Sequence, residues 1–319
     1  MNHRTKAIAR KIVDYALTPL VYPAGVVLRN VRRLGVENLP RCREALLRVG
    51  VFPLQRHYYE PRFDWEGSHK AFSEDRHLPG LDWNEAEQVA LLSEMKCGAE
   101  LHSTLRQRSG KREFYLDNQS FCSGDFEYWY QLVRQKKPQA LIEIGSGLST
   151  LVARRAIELN RREDFTYSCH HVCIEPYEAP WLEELGIDVI RKKVEDVDVS
   201  EFDMLHRNDI LFIDSSHVIR PQGDVLFEYL NILPSLRPGV IVHIHDIFSP
   251  KDYPDYWLRT QVRFWNEQYL LEAFLCNNSE WKIIGALNFL RHRHFEDLKL
   301  VAPFLTPDRE PGSFYIQKR

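Results

Sequence analysis

The sequence predicts an α/β fold with a mostly parallel sheet covered by helices on both faces, and three observations carry that prediction. Short, continuous apolar runs recur between residues 140 and 244, helical apolar patterns separate them, and most of the runs end at glycines or acids. Strands apolar on both faces are buried on both faces, which requires helices packed above and below the sheet.

Ala140-Leu141-Ile142-Glu143-Ile144 is the first strand, because the run is short and stops at glycine. From Leu148 the period changes, and Leu148, Leu151, Val152, Ala156 and Leu159 share one helical face. Val172-Cys173-Ile174 is a second strand ending at Glu175-Pro176, and Asp188-Val189-Ile190 a third. Ile210 to Ile213 is a fourth, ending at Asp214, followed by a helix with Val225, Leu226, Tyr229, Leu230 and Leu233 inward. Arg237-Pro238-Gly239 turns the chain into a fifth strand, Val240 to Ile244, which ends at His245-Asp246. Helices are expected from Trp83 to Lys96 and from Trp257 to Leu275, and a last strand within Gly312 to Ile316. Polar residues gather at the C-terminal strand ends, where open α/β sheets bind ligands. Domain organisation is read as an accessory or lid segment, 1–115, and a core, 116–319.

The 319 residues carry a net charge of -3, so no basic field recommends a nucleic-acid partner. Six cysteines without a CxxC pair read as reduced thiols of a cytoplasmic protein. Cys169-His170-His171-Val172-Cys173 has metal-binding residue types, but it runs straight into a strand and no second ligand pair follows at zinc spacing. No signal peptide is expected. The first 36 residues hold seven Lys/Arg against one acid, Asp14. Such a segment either lies peripherally on the inner face of an anionic membrane or packs on the domain as a basic helix. Its apolar stretch, Ala16 to Leu28, is interrupted by Pro19 and Pro23 and reads as too short for the roughly 20 residues that span a bilayer.

Gly145 and Gly147 open a turn between strand and helix that lets a ligand approach the backbone. A dinucleotide loop wants a third glycine where Thr150 stands, and Glu143 would repel a pyrophosphate and favour an ammonium group. The run Glu143-Ile144-Gly145-Ser146-Gly147 resembles motif I of the class I S-adenosylmethionine-dependent methyltransferases. Glu175 matches the second-strand acid that takes the ribose hydroxyls. Val194-Glu195-Asp196 stands where that family contacts adenine, and Leu236-Arg237-Pro238-Gly239-Val240 resembles its turn before strand five. The similarity spans about residues 120–250. It implies a Rossmann-like, mostly parallel seven-stranded sheet with a helical N-terminal extension, and S-adenosylmethionine as cofactor. The cofactor contacts it implies are Glu143, Gly145, Ser146, Gly147, Ser149, Glu175, Glu195, Asp196, Asp214 and Ser123, with Asp125 beside Ser123. The plain structural alternatives are a helix-capping Glu143, a surface Glu175 and an N-cap at Ser123 or Asp125.

Within the superfamily, Ile213-Asp214-Ser215-Ser216-His217, Ile244-His245-Asp246-Ile247-Phe248, Gly50-Val51-Phe52-Pro53 and His57-Tyr58-Tyr59-Glu60-Pro61 resemble small-molecule O-methyltransferases of glycan and natural-product pathways. The acceptor implied is a saccharide or another small hydroxylated molecule. His217 is the first candidate for the general base and His245 the second, with Asp214 beside them. Some relatives hold a divalent cation here, and Asp214 and Asp246 match two of its ligand positions, which admits Mg²⁺. His245 replaces an acid that a hard cation prefers. Tyr253, Tyr256 and Trp257 are either a stacking surface for the acceptor or core. Two other readings stay open: a metal-dependent hydrolase or hydroxylase using Asp214, His217, His245 and Asp246, and a non-catalytic protein with the same fold.

Overall fold

A computed structural model describes residues 3–62, 70–104, 113–116 and 118–319. It divides into two compact units, Met1–His69 and Lys70–Arg319.

The first unit contains helices α1 (His3–Arg33) and α2 (Pro40–Val49), the latter closed by Gly50 in the left-handed region. After α2, Glu60 pairs with Arg32, whose guanidinium carbon lies 5.0 Å from the Phe52 ring centroid. The expected interruption of the N-terminal apolar stretch does not occur, for α1 runs straight through Pro19 and Pro23. Each proline removes one backbone donor, and Thr18 Oγ1 donates to the Asp14 carbonyl just before the first of them. From Thr5 to Arg33 this helix is long and apolar enough to cross a membrane, and its large apolar side chains, Ile12, Leu20 and Tyr22 among them, are exposed. Ala16–Leu28 is therefore part of a longer element than its prolines suggested.

The second unit is built on one seven-stranded sheet. Helices α3 (Glu85–Glu94), α4 (Gly98–Thr104) and α5 (Asp125–Lys136) precede strand β1 (Ala140–Ile144). Helix α6 (Leu148–Glu163) leads to β2 (His170–Ile174), β3 (Asp188–Ile190) and β4 (Ile210–Ile213). Residues 224–235 are helical, as α7 (Asp224–Phe227), a π-helical turn and α8 (Leu233–Ser235). Then follow β5 (Ile241–Ile244), α9 (Glu267–Leu275), β6 (Trp281–Ala286), α10 (Leu287–Arg293), α11 (Phe295–Val301) and β7 (Phe314–Lys318).

The strand order is β3-β2-β1-β4-β5-β7-β6. The first five strands are parallel, and β7 runs antiparallel between β5 and β6. The order reverses between β1 and β4. Right-handed crossovers on either side of that reversal place helices on opposite faces. The sheet thus has the mostly parallel, seven-stranded, Rossmann-like form expected. Register levels the strand ends: Ile144 lies opposite Ile174 and Ile213, and Ile213 opposite Ile244. The next residues, Gly145, Glu175, Asp214 and His245, therefore stand side by side along one edge.

Residues 70–104 pack with the sheet. Asn84 Nδ2 donates to the Ile283 carbonyl at 3.0 Å, and Gln88 Oε1 accepts from the Ala286 N–H at 2.6 Å. Arg134 on α5 pairs with Glu100 on α4 at 2.9 Å. Compactness accordingly divides the chain at 69/70, whereas the sequence placed the break at 115/116; the ties to β6 and α5 are long-range and leave no local mark in the sequence. The expected helix from Trp257 to Leu275 is also two pieces. A π-helical turn, Tyr256–Thr260, stops before Val262, whose φ of 54° breaks the pattern, and α9 begins at Glu267.

Candidate active site

The loop after β1 is shaped by a close approach. Gly145 has φ of 78°, and a Cβ there would lie 2.0 Å from the Asp214 carbonyl oxygen. Only glycine fits. The space beside Gly147 is open. A cleft of about 430 Å³ spreads from Gly145 over the ends of β2 and β4, with Glu175, Glu195, Asp214, Ser216 and Arg220 in its lining.

Glu143 lies beneath this loop instead of at its mouth. It is fully buried, with Oε1 2.5 Å from His171 Nε2 and Oε2 accepting from Ser149 Oγ (2.8 Å) and Thr150 Oγ1 (3.1 Å). Its oxygens hold the loop to β2 and α6, so Glu143, expected at the mouth of the loop to favour an ammonium group, is instead a buried brace, and Ser149, an expected cofactor contact, donates to it. His171 and Cys173, from the Cys/His run, belong to this buried cluster. Burial pushes the Cys173 thiol far up and that of Cys169 to about 12, so both stay protonated.

Glu175 is at the cleft. Its Oε1 accepts from the N–H groups of Tyr177 (2.9 Å) and Glu178 (2.8 Å), and Oε2 receives one long bond, 3.4 Å, from the Ser146 N–H. One carboxylate edge is thus pinned to the backbone and the other keeps lone pairs for a ligand. Glu195 lines the cleft, whereas Asp196 points to solvent. Ser123 and Asp125 do structural work. Ser123 Oγ bonds Glu127 at 3.0 Å, and Asp125 Oδ1 accepts from the Gly312 (3.0 Å) and Ser313 (2.8 Å) N–H groups, which fixes the approach to β7. Burial raises the Asp125 carboxyl to about 6.

At the ends of β4 and β5 the predicted polar residues do converge. His217 Nε2 lies 3.2 Å from Asp214 Oδ1 and 3.7 Å from Asp246 Oδ2, while its Nδ1 faces Glu267 Oε2 at 2.7 Å. His245 Nδ1, buried without a hydrogen bond, is 3.6 Å from Asp214 and 3.5 Å from Asp246. His217 and Asp246 both have φ of 59°, an unfavourable backbone region for side-chain-bearing residues that recurs at functional sites. Burial opposes charge on both imidazoles, but the carboxylates win. His217 is raised well above its usual range by Asp214 and Glu267, and His245 to about 10 by Asp246 and Asp214. Burial would raise Asp214, yet His245 and His217 hold it well below the usual carboxylate range. Burial dominates at Asp246 and raises it.

Sequence reasoning missed Glu267, the group that orients His217 from fifty positions away. It also missed Asp224, whose carboxylate accepts from the Ser216 N–H (3.0 Å) and Oγ (2.7 Å) and so anchors the loop after β4. Both acids open a helix, α9 and α7, the one local signal they carry. His243, on β5 between these residues and the sheet interior, is fully buried and takes no part. Tyr253 is core, Trp257 half-buried and Tyr256 exposed.

Residues 142–247 match the family model described as a methyltransferase domain. A protein of Archaeoglobus fulgidus described as uncharacterized is 28% identical over 144 residues, and the match spans 43% of this chain and 63% of that protein's length. The O-methyltransferase TomG of Streptomyces achromogenes, involved in tomaymycin synthesis and solved with SAM, is similar at 14% identity and a TM-score of 0.38, over 71% of this chain and 88% of that one. An O-methyltransferase of Bacillus cereus solved with SAH is similar at 11% identity and a TM-score of 0.37, over 73% and 91%.

Proposed function

We propose, from the match of residues 142–247 to a methyltransferase domain model, that this chain is an S-adenosylmethionine-dependent O-methyltransferase acting on a small hydroxylated acceptor, a saccharide in the narrower reading. The observation that carries it is the cleft from Gly145 to Glu175, 430 Å³ in volume and bordered at Asp214 by the imidazole–carboxylate cluster. Gly145 admits a ligand against the backbone, and Glu175 offers acceptors to a vicinal diol. Bound there, S-adenosylmethionine supplies an electrophilic methyl group. The chain's own part is to hold the acceptor oxygen in line with it and to remove the hydroxyl proton. His217 Nε2, 3.2 Å from Asp214 Oδ1, can take that proton only as the neutral imidazole, a form the surrounding carboxylates disfavour, and Glu267 on Nδ1 sets its orientation.

A divalent cation is the alternative for the same corner, and it would take His217 Nε2 as a ligand in place of that nitrogen's role as proton acceptor. Ligand atoms of Asp214, His217 and Asp246 lie within 4.8 Å of one another, and a carboxylate behind the distal imidazole nitrogen is the usual support of a metal-bound histidine. A cation there lowers the pKa of an acceptor hydroxyl. The hydrolase reading uses these residues but leaves the cleft over Gly145 and Glu175 without a role.

The exposed apolar helix α1 supports peripheral attachment to an anionic membrane. Lys6, Arg10 and Lys11 precede its apolar middle, and Arg29 and Arg33 follow it.

Calorimetric titration with S-adenosylmethionine and its demethylated product tests the central claim, followed by transfer of labelled methyl to a panel of sugars and phenols with and without EDTA. Micromolar cofactor binding is expected. Absence of binding at high micromolar concentration would sink the reading, and full activity in EDTA would remove the metal.

A further inference from the structure

We infer that the acceptor carries an anionic group, a carboxylate or phosphate, read by Arg263 between Trp257 and Trp265. The inference rests on the methyltransferase reading for the word acceptor, and on its own geometry for the anion site. After the π-helical turn the chain reverses at Val262, and the Arg263 N–H donates to the Trp257 carbonyl at 3.0 Å. The reversal brings the guanidinium carbon 4.4 Å from the Trp257 ring centroid and 4.1 Å from that of Trp265. The indoles meet edge to face at 5.1 Å. Trp265 also lies 4.3 Å, centroid to centroid, from His217. One tryptophan therefore touches both the guanidinium and the imidazole placed for proton removal.

Neighbouring arginines of this unit have carboxylate partners: Arg76 has Glu272 and Asp252, and Arg259 has Asp255. Among the described residues no carboxylate lies within 4.0 Å of Arg263, and its nearest acidic influence is on Asp246, whose carboxyl burial raises and the Arg263 charge lowers. Cation–π contact uses the faces of a guanidinium and leaves its N–H edge free, and that edge matches a carboxylate or phosphate in two parallel hydrogen bonds. The centre beside it is rich in acids, with Asp214, Asp246 and Glu267 around His217. The imidazoles of His217 and His245 are paired with those acids, and Arg263 is the further cation beside them, reached through Trp265.

Calorimetric titration of the full chain with 4-hydroxybenzoate, phenyl phosphate and uncharged phenol tests this, alongside a titration with S-adenosylmethionine. The two anions should bind at least about tenfold more tightly than phenol, the size of one charge-assisted hydrogen-bonding contact. Arg263→Gln should abolish that preference, and Arg263→Lys, which keeps the charge and loses the fork, should retain part of it. Equal affinities for phenol and the anions, a preference that survives in Arg263→Gln, or no binding by any probe would overturn the inference. Anion preference without S-adenosylmethionine binding would leave the anion site standing and remove the methyltransferase reading instead.

Discussion

Nδ1 of His217 lies 2.7 Å from Oε2 of Glu267, and that contact leaves Nε2 turned toward Asp214 and Asp246. Glu267 is fully buried and also accepts from the Tyr229 hydroxyl at 3.2 Å, so it is held as firmly as the imidazole it orients. A carboxylate on Nδ1–H fixes the tautomer and raises the basicity of Nε2. His217→Ala should lower methyl transfer by about a hundredfold or more while cofactor affinity persists. Glu267→Gln should lower it about tenfold, the scale seen when an orienting partner is lost. Steady-state turnover and calorimetry on the same samples check both. Wild-type turnover in His217→Ala would move the proton to His245 or to a metal-bound oxygen.

The second prediction concerns Glu175. Two backbone donors hold Oε1, so removing the side chain costs the ligand its acceptors and the loop at 177–178 its anchor. Glu175→Ala should weaken S-adenosylmethionine binding by about ten- to a hundredfold, the size of one or two hydrogen bonds to a charged group. Glu175→Gln should fall between the two. A thermal midpoint unchanged from wild type would separate lost contact from lost fold. Unchanged affinity in the alanine variant would show that the ribose assignment is wrong.

The third prediction is read from α1. If the helix lies on a membrane surface, the chain should sediment with vesicles containing phosphatidylserine and not with vesicles of phosphatidylcholine alone, since each basic side chain near an anionic surface contributes about 1 kcal/mol. Ile12→Asp with Leu20→Asp should abolish the association. High salt should release a surface-bound helix, because screening shortens the reach of its charges. Retention in high salt would point to a helix that crosses the bilayer.

How much of this was legible in the sequence follows from range. Strand ends and loop glycines are local features. Each apolar run stops at the residue that reaches the site, so Gly145, Glu175, Asp214 and Asp246 could be named from the chain alone. The exclusion of a dinucleotide by Thr150 was equally local, and Thr150 proves to hold Glu143. Depth was not legible. Nothing local says that Glu143, one residue from the loop, is turned into the interior by His171, a partner on the next strand. Asp125 likewise meets Gly312 and Ser313 only when β7 inserts between β5 and β6. Glu267 and Arg263 reach His217 and Trp265 across a chain reversal at Val262 that helical periodicity through Trp257–Leu275 concealed. The apolar content of α1 is visible in the sequence, but its two prolines signal breaks that the helix does not make.

The fourth prediction isolates His243, the imidazole that chemistry does not use. It sits on β5, stacked 4.2 Å from the Tyr315 ring and edge to face with Phe212 at 4.6 Å, and neither ring nitrogen has a hydrogen-bond partner among the described residues. Burial, and secondarily the charge on His245, hold its pKa well below the usual 6.5. The folded protein therefore keeps it neutral where the unfolded chain would protonate it. Above pH 6.5 both states are neutral and the residue gives stability no pH dependence. Below 6.5 the unfolded state binds the extra proton, so stability falls with pH by about 1.4 kcal/mol per unit until the depressed folded pKa is reached. His243→Phe keeps the aromatic stack and removes the titration, along with two buried nitrogens that cost free energy when unpaired. Urea unfolding at pH 7.5, 6 and 5 should show the variant gaining on wild type at each acid step, whatever the difference at pH 7.5. A difference that stays constant across the three would mean that His243 is charged or partnered in the folded protein, and that the acid sensitivity belongs to another group.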